Sequence, residues 1–439
     1  MIDLKDNSNI NGQIITVALL FIVNPFVAML TSLVFALLAN KDYQQSDRTL
    51  LLFIYSVTIW ISLVNITKAI SGDQGSYTRL FLSIHEIGFF NMLFESLGYT
   101  GTTTSKEPVF SIITWILYWL TGGSVRLYYF ILSFGIYLPH FLATHKLFKA
   151  MDAPKGALIC GVLVLTFFSQ YFVMTLQLIR QMLASGLVIY ALVYRIVEGK
   201  NNWWLLASAV LIHTSAIYIA ILSLIPWFYS WMNFKRVMTV LAIIVPVIVF
   251  NSFVANFIGM GSGISALEYG ASRFGQTGLA DEASKGASMS FGIMIMVFGP
   301  LTIISVAILK RYKKFLSIFN DQEENYEEIC KTESENSKIL PVVYIFFLLM
   351  LFVLSFTKSP LVQYRFFYYS YSFIPLLIPL LFKKEPWESI YWTSASLFFI
   401  IRFFVSHNSS GWRYADVFSL CTETLYYYWT GNFHWMYLL

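Results

Sequence analysis

Apolar runs long enough to cross a bilayer recur along almost the whole chain, and they set the fold class before any motif is read. A hydrocarbon core about 30 Å thick needs roughly 20 apolar residues per helix. Runs of that order lie near 14–40, 49–67, 127–148, 156–176, 179–197, 237–258, 291–309, 340–357, 366–382 and 390–405. Charge is scarce between them: 12% of the 439 residues are Asp, Glu, Lys or Arg, where a soluble fold carries about 25%. Thirteen of those charges sit between Lys310 and Lys338, so the remainder is poorer still. A water-soluble enzyme, a disordered chain and a coiled coil are excluded. Cys160, Cys330 and Cys421 are isolated and make neither a disulfide framework nor a metal knot. A net charge of +5 is small for this length and gives no footing for nucleic acid. The expectation is an all-α polytopic membrane protein, one transmembrane domain over 1–439. Counting broken and re-entrant helices, it has about 12 membrane segments.

The first apolar stretch, from near Gln13 to Asn40, is too long for a cleaved signal peptide and reads as a retained first span. Two stretches do not fit the span template. Residues 108–121 are too short to cross and read as a re-entrant or interfacial helix. Residues 203–231 are too long for one helix and carry His213-Thr214-Ser215 in the middle. If that stretch is a helix pair turning back at His213, then Lys41, Arg48, Lys146, Lys149, Lys155, Arg195, Lys200, Lys235, Arg236, the basic residues of 310–338, Lys383 and Lys384 share one side. That side then collects 17 of the 29 Lys and Arg, as the positive-inside rule prefers for the cytoplasm. A helix break at membrane depth is tolerated only beside protein or a wet cavity. The opposite side receives 71–107, the Gly/Ser-rich 259–290 and the short 358–365. The cytoplasm receives the mixed-charge connector 310–338.

Ionisable residues inside spans cost about 2.5–3.5 kcal/mol on insertion scales, so each needs a partner or a purpose. Arg180 and Gln181 stand at the external start of a span, His213 and Ser215 at the break, and Arg365 at the external end of another span. The expectation is one membrane depth on one side for all three basic residues. Guanidinium groups bind phosphate oxygens through a bidentate fork, and a near-neutral imidazole can donate to phosphate or shuttle a proton. Interfacial snorkelling is the alternative for Arg180 and Arg365, and an ordinary buried, hydrogen-bonded histidine the alternative for His213.

The carboxylates are less specific. Asp73 lies in Ser71-Gly72-Asp73-Gln74-Gly75-Ser76-Tyr77, and Glu107 precedes Pro108, where an acidic residue also suits a helix start. Glu86 and Glu95 read as the wet face of an amphipathic external helix. Most of the 27 Tyr, 40 Phe and 12 Trp are lipid-facing core and interfacial belt. Tyr269, Tyr364, Tyr414 and Trp412 are candidates for stacking on sugar rings. The tail Tyr426-Tyr427-Tyr428-Trp429 reads as an interfacial anchor or last helix.

Glu107-Pro108-Val109-Phe110, Ile179-Arg180-Gln181-Met182-Leu183-Ala184, His213-Thr214-Ser215-Ala216-Ile217 and Tyr364-Arg365 together resemble the EpsG-like family of Wzy-type polysaccharide polymerases. The resemblance covers roughly residues 70–400. Its most specific part is Arg-Gln-x-x-Ala followed about 30 residues later by His-x-Ser-Ala. The segment Asp73 to Tyr77 is similar to the family's first external motif but has Ser-Gly-Asp-Gln-Gly in place of Gly-Thr-Asp. The resemblance implies an O-antigen or capsule repeat-unit polymerase of the bacterial inner membrane, akin in architecture to C-type membrane glycosyltransferases, with its active site facing the periplasm. It implies a growing glycan on undecaprenyl diphosphate as donor and an undecaprenyl-diphosphate-linked repeat as acceptor. It implies neither a metal nor any other cofactor, and a chain-length regulator is a candidate partner. The residues implied are His213, Glu107 and Asp73 for catalysis, and Arg180, Gln181, Ser215, Arg365, Tyr364, Tyr77 and Tyr269 for binding. A flippase of the same lipid-linked sugars and a membrane O-acyltransferase using His213 are the competing readings.

Overall fold

The computed structural model describes residues 2–39, 43–68, 70, 73–96, 108–224, 292, 294–311, 338–355, 360–381, 387–407 and 417–431. Every regular element among them is helical, since a helix satisfies its own backbone polar groups where lipid offers no partner. Five helices are long and apolar enough to cross a membrane: Asp47–Asn65, Val125–Ala150, Ile179–Glu198, Met294–Arg311 and Trp387–His407. Shorter apolar helices accompany them. The chain divides into two compact units, residues 1–217 with 382–439, and residues 218–381. The expected span at 237–258 lies outside the described residues, as do the loop 259–290 and most of the connector 310–338.

The first unit holds α1 (Ile2–Val23), α2 (Pro25–Leu38), α3 (Tyr43–Asn65), α4 (Asp73–Ile87), α5 (Phe89–Ser96), α6 (Pro108–Thr121), α7 (Val125–Ala150), α8 (Lys155–Thr166), α9 (Ser169–Met174), α10 (Ile179–Glu198) and α11 (Trp203–Ile212). One end of this bundle is basic and heavily cross-tied. Asp47 of α3 accepts from His145 Nε2 and Lys149 Nζ of α7, each at 2.8 Å. Lys146 pairs with Glu198 of α10, and Lys155 Nζ donates to the Leu37 carbonyl at 2.8 Å. Arg195 donates to Asn201 at 2.8 Å, and Gly199 closes α10 with φ +70°, a conformation glycine adopts at no steric cost. Lys146, Lys149, Lys155 and Arg195 are four of the Lys and Arg residues that the charge distribution placed on one side.

The first apolar stretch is two helices rather than the single span expected. Asn24 is extended, its side chain accepts from the Val27 amide at 2.9 Å, and Pro25 starts the second helix. A straight helix from Gln13 to Leu38 would be about 37 Å long at 1.5 Å per residue. Yet Thr49, near the start of α3, donates to Gln13 at 3.3 Å, so α2 must fold back along α1. The stretch 156–176 is likewise interrupted, at Phe167 and Phe168. The Phe167 ring packs on Trp60 at 5.6 Å and the Phe168 ring on Phe399 at 5.8 Å, so consecutive rings serve different neighbours.

At the other end of the bundle, the C-terminal segment ties down the start of α7. Arg126 donates to the Gly431 carbonyl at 2.5 Å, Trp429 packs on Phe130 at 5.7 Å, and Asn24 donates to the Cys421 carbonyl at 2.9 Å. The aromatic tail is a short helix, Leu425–Thr430. Trp387–His407 packs on α8, where Gly156 lets the Trp392 ring lie against the backbone.

The second unit is built on aromatic contacts. Tyr218, Phe352 and Phe366 pack at ring separations of 4.7–5.3 Å, and Phe298 lies 5.2 Å from Phe367. The expected span 366–382 is irregular. The helix Pro360–Phe367 passes into 3-10 turns at Tyr368–Phe373 and Ile378–Leu380, with Ile374–Leu377 between. Pro375 and Pro379 each remove an amide from the helical ladder, and Arg311 donates to the exposed carbonyls of Leu380 and Leu381.

Candidate functional site

The chain places Arg180 at the second position of α10, at the end of the bundle away from the basic cluster. No side chain caps that helix start, so its first amides add to the positive character of the guanidinium. Arg180 Nε donates to Tyr77 Oη of α4 at 3.1 Å, and its guanidinium carbon lies 5.4 Å from the Tyr77 ring centroid. Tyr77 is itself buried and meets Phe110 of α6 edge-on at 5.5 Å. Three helices therefore converge here, and two residues singled out separately in the sequence, 103 positions apart, are hydrogen-bonded. Gln181 is buried beside them.

The α4 segment folds this way because its apolar positions face inward. Tyr77, Phe81 and Ile84 are buried, while Arg79, His85 and Glu86 are exposed, which is a helical repeat. Thr78 hydrogen-bonds Tyr129 at 2.6 Å, and the Tyr129 hydroxyl donates to the Gln74 carbonyl at 2.9 Å, which locks α4 to α7.

The helix break at His213 is observed. His213 ends α11 in an extended conformation, and a new helix starts at Ala216. His213 and Ser215 are both half-buried. Helix lengths place His213 differently from the expectation of a common depth. It lies about 15 Å along α11 from Trp203, whereas Arg180 lies about 27 Å along α10 from Glu198. The two helices are joined by a short connection at the basic end and pack together, so His213 sits about 12 Å nearer that end than Arg180.

Arg365 belongs to the second unit, in the helix Pro360–Phe367, and is half-buried. Gln363 in the same helix donates to the Val353 carbonyl at 3.1 Å. Tyr364 lies in that helix and Asp73 opens α4, but their side chains are outside what the structure describes. Glu107 and Tyr269 lie outside the described residues.

Sequence reasoning missed a buried polar group at this same end of the first unit. Lys68, just past α3, donates to the Phe172 carbonyl and to Thr175 Oγ1 at 3.1 Å, with its Nζ 3.6 Å from the Phe172 ring centroid. Burial holds its amino group well below the usual lysine range. Thr175 donates to Asn65 Oδ1 at 3.2 Å, and Asn65 donates to Ser133 at 2.6 Å. The His407 ring packs on Phe172 at 5.1 Å. The available signal was Asn65, Thr67 and Lys68 in sequence at the end of an apolar run.

Residues 50–415 match the family model of the EpsG family, a family of Wzy-like polymerase and exopolysaccharide-biosynthesis membrane proteins, and the chain belongs to it. No curated protein and no solved structure matches the chain.

Proposed function

We propose that this member of the EpsG family is a repeat-unit polymerase of the bacterial inner membrane, working at the periplasmic face. It transfers a growing glycan from undecaprenyl diphosphate to a lipid-linked acceptor repeat. The observation that carries the reading is the Arg180–Tyr77 pair at the start of α10, opposite the basic end that the positive-inside rule assigns to the cytoplasm.

An acceptor hydroxyl attacks the donor's anomeric carbon. A new carbon–oxygen bond forms, the bond to the diphosphate breaks, and the electron pair leaves with the diphosphate. Arg180 neutralises the charge that grows on that leaving group, where preorganised donors act most strongly. The Tyr77 hydroxyl keeps the guanidinium plane in place. Arg365 is the second cation assigned by sequence, and Tyr269 and Tyr364 are assigned to sugar stacking.

The proton of the acceptor hydroxyl needs a base within direct or one-water reach. Glu107 is the assignment, because it lies three residues before Phe110, whose ring meets Tyr77. The 12 Å offset of His213 from Arg180, about eight helical residues, favours a supporting role for His213 and Ser215 deeper in the bundle. Asp73, at the first position of α4, is assigned to orienting the acceptor sugar one turn from Tyr77.

The test is purified protein incubated with lipid-linked repeat alone. A ladder of polymers supports the reading. Movement of the lipid without elongation would replace it with a flippase, and dependence on an acyl donor with an acyltransferase.

A further inference from the structure

Arg180 is reached from the preceding helix through one short turn. The helix α9 ends at Met174, and α10 begins at Ile179. Local backbone bonds tighten the turn: the amides of Gln177 and Leu178 both donate to the Met174 carbonyl, at 3.1 and 2.9 Å. What fixes this turn to the rest of the bundle is a side chain from just past α3. Lys68 donates to the Phe172 carbonyl, among the last carbonyls of α9, and to Thr175 in the turn itself. A positive or donor group at a helix C-terminus satisfies carbonyls that the helix leaves unpaired. The Phe172 ring covers Lys68 on one side, and Phe172 in turn packs on Phe403 at 5.0 Å and His407 at 5.1 Å. Thr175 is held a second time through Asn65, which is anchored on Ser133 of α7. Lys68, Asn65 of α3 and the Phe403 and His407 rings of Trp387–His407 thus converge on Phe172 and Thr175, at the end of α9 just before the turn to Arg180.

We infer that Lys68 is a positioning residue that sets the placement of Arg180 through the α9–α10 turn. The inference rests on the diphosphate role assigned to Arg180 above. It explains why a lysine is 3% exposed at a helix end, where its long side chain has the reach to snorkel to water. Removing this donor leaves a buried carbonyl and hydroxyl short of a partner, a cost that changes a local equilibrium at least about tenfold.

The experiment uses the full chain in lipid nanodiscs, with Lys68→Met, Thr175→Val, Arg180→Ala and the Lys68→Met/Arg180→Ala double variant. Hydrogen exchange of the amides of 175–181 should quicken at least about tenfold in Lys68→Met, while those of 190–198 stay unchanged. Thr175→Val, which leaves Lys68 in place, should give a smaller change in the same segment. Undecaprenyl diphosphate binding should weaken about tenfold or more in Lys68→Met and no further when Arg180 is already absent. Unchanged exchange at 175–181, exchange raised equally at 190–198, or additive losses of binding would each overturn the inference. If Arg180→Ala itself leaves diphosphate binding intact, the proposed role of Arg180 fails, and the exchange pattern still decides whether Lys68 holds the turn.

Discussion

Arg180 Nε donates to the Tyr77 hydroxyl at 3.1 Å across 103 residues of sequence, joining the start of α10 to the second turn of α4. An arginine stabilised only by snorkelling would reach for water and would not need a buried phenol as partner.

Removing this guanidinium should abolish polymer and leave the lipid-linked single repeat to accumulate. Arg180→Ala is expected to lower turnover by roughly 10²- to 10³-fold, the scale of one lost transition-state donor. Arg180→Lys should recover little, because an ammonium cannot make the bidentate contact and has no Nε for Tyr77. Gel analysis of lipid-linked glycans checks both variants, and long polymer from Arg180→Ala would sink the assignment.

Tyr77→Phe isolates the hydroxyl from the ring. The ring's contact with Phe110 remains, so folding should be unaffected and only the orientation of Arg180 loosens. The expected loss is roughly ten- to a hundredfold in kcat/KM, the worth of one hydrogen bond to a charged group. Equal activity of Tyr77→Phe and wild type in a steady-state assay would mean that the hydroxyl plays no part.

The sequence carried the membrane class, the side holding the Lys and Arg, the helix break at His213, and Arg180 and Tyr77 as separate candidates. These are legible because lipid penalises charge and unpaired backbone so heavily that exceptions stand out. The Arg180–Tyr77 contact itself was not legible, since nothing local in α4 says which helix it will meet. Lys68 escaped because a lysine just after an apolar run normally points to water, and only the fold shows Phe172 and Thr175 closing over it. The hairpin of α1 and α2 was hidden because Asn24-Pro25 breaks an uninterrupted apolar stretch without adding a charge.

Glu107 and His213 make separable predictions as proton acceptors. Glu107→Gln should reduce kcat by roughly 10²-fold or more with KM little changed, as expected for a lost general base. His213→Ala, about 12 Å deeper along the bundle, should lose less and should change KM more than kcat. A rate profile in which His213→Ala is the inactive variant and Glu107→Gln the mild one would reverse the assignment.

Gly186 should be intolerant of any side chain. An added Cβ would lie 3.1 Å from the His140 ring and 3.2 Å from the Ile136 carbonyl, and His140 is held by that same carbonyl at 2.8 Å. Neither neighbour can yield easily, so Gly186→Ala should destabilise by about 1–3 kcal/mol. At Gly135 the close neighbour is the Leu183 Cδ1, 3.2 Å away, and the gain in helix propensity from alanine offsets the contact. Thermal unfolding in detergent should therefore fall for Gly186→Ala and stay within a few degrees of wild type for Gly135→Ala.

The fold-back of α2 along α1 predicts the membrane face on which Gly12 lies. A single first span would put Gly12 and the end of α2 at Leu38 on opposite faces. The hydrogen bond between Thr49 and Gln13 puts them on the same one, the face of Lys149 and Lys200. Gly12 has open space around it, so a cysteine there reports without disturbing the packing. In cells carrying a variant whose native cysteines are replaced, Gly12→Cys and Lys200→Cys should both be protected from an impermeant thiol reagent, and exposed Glu86→Cys on α4 should react. Labelling of Gly12→Cys alongside Glu86→Cys would restore the single-span topology and remove the hairpin.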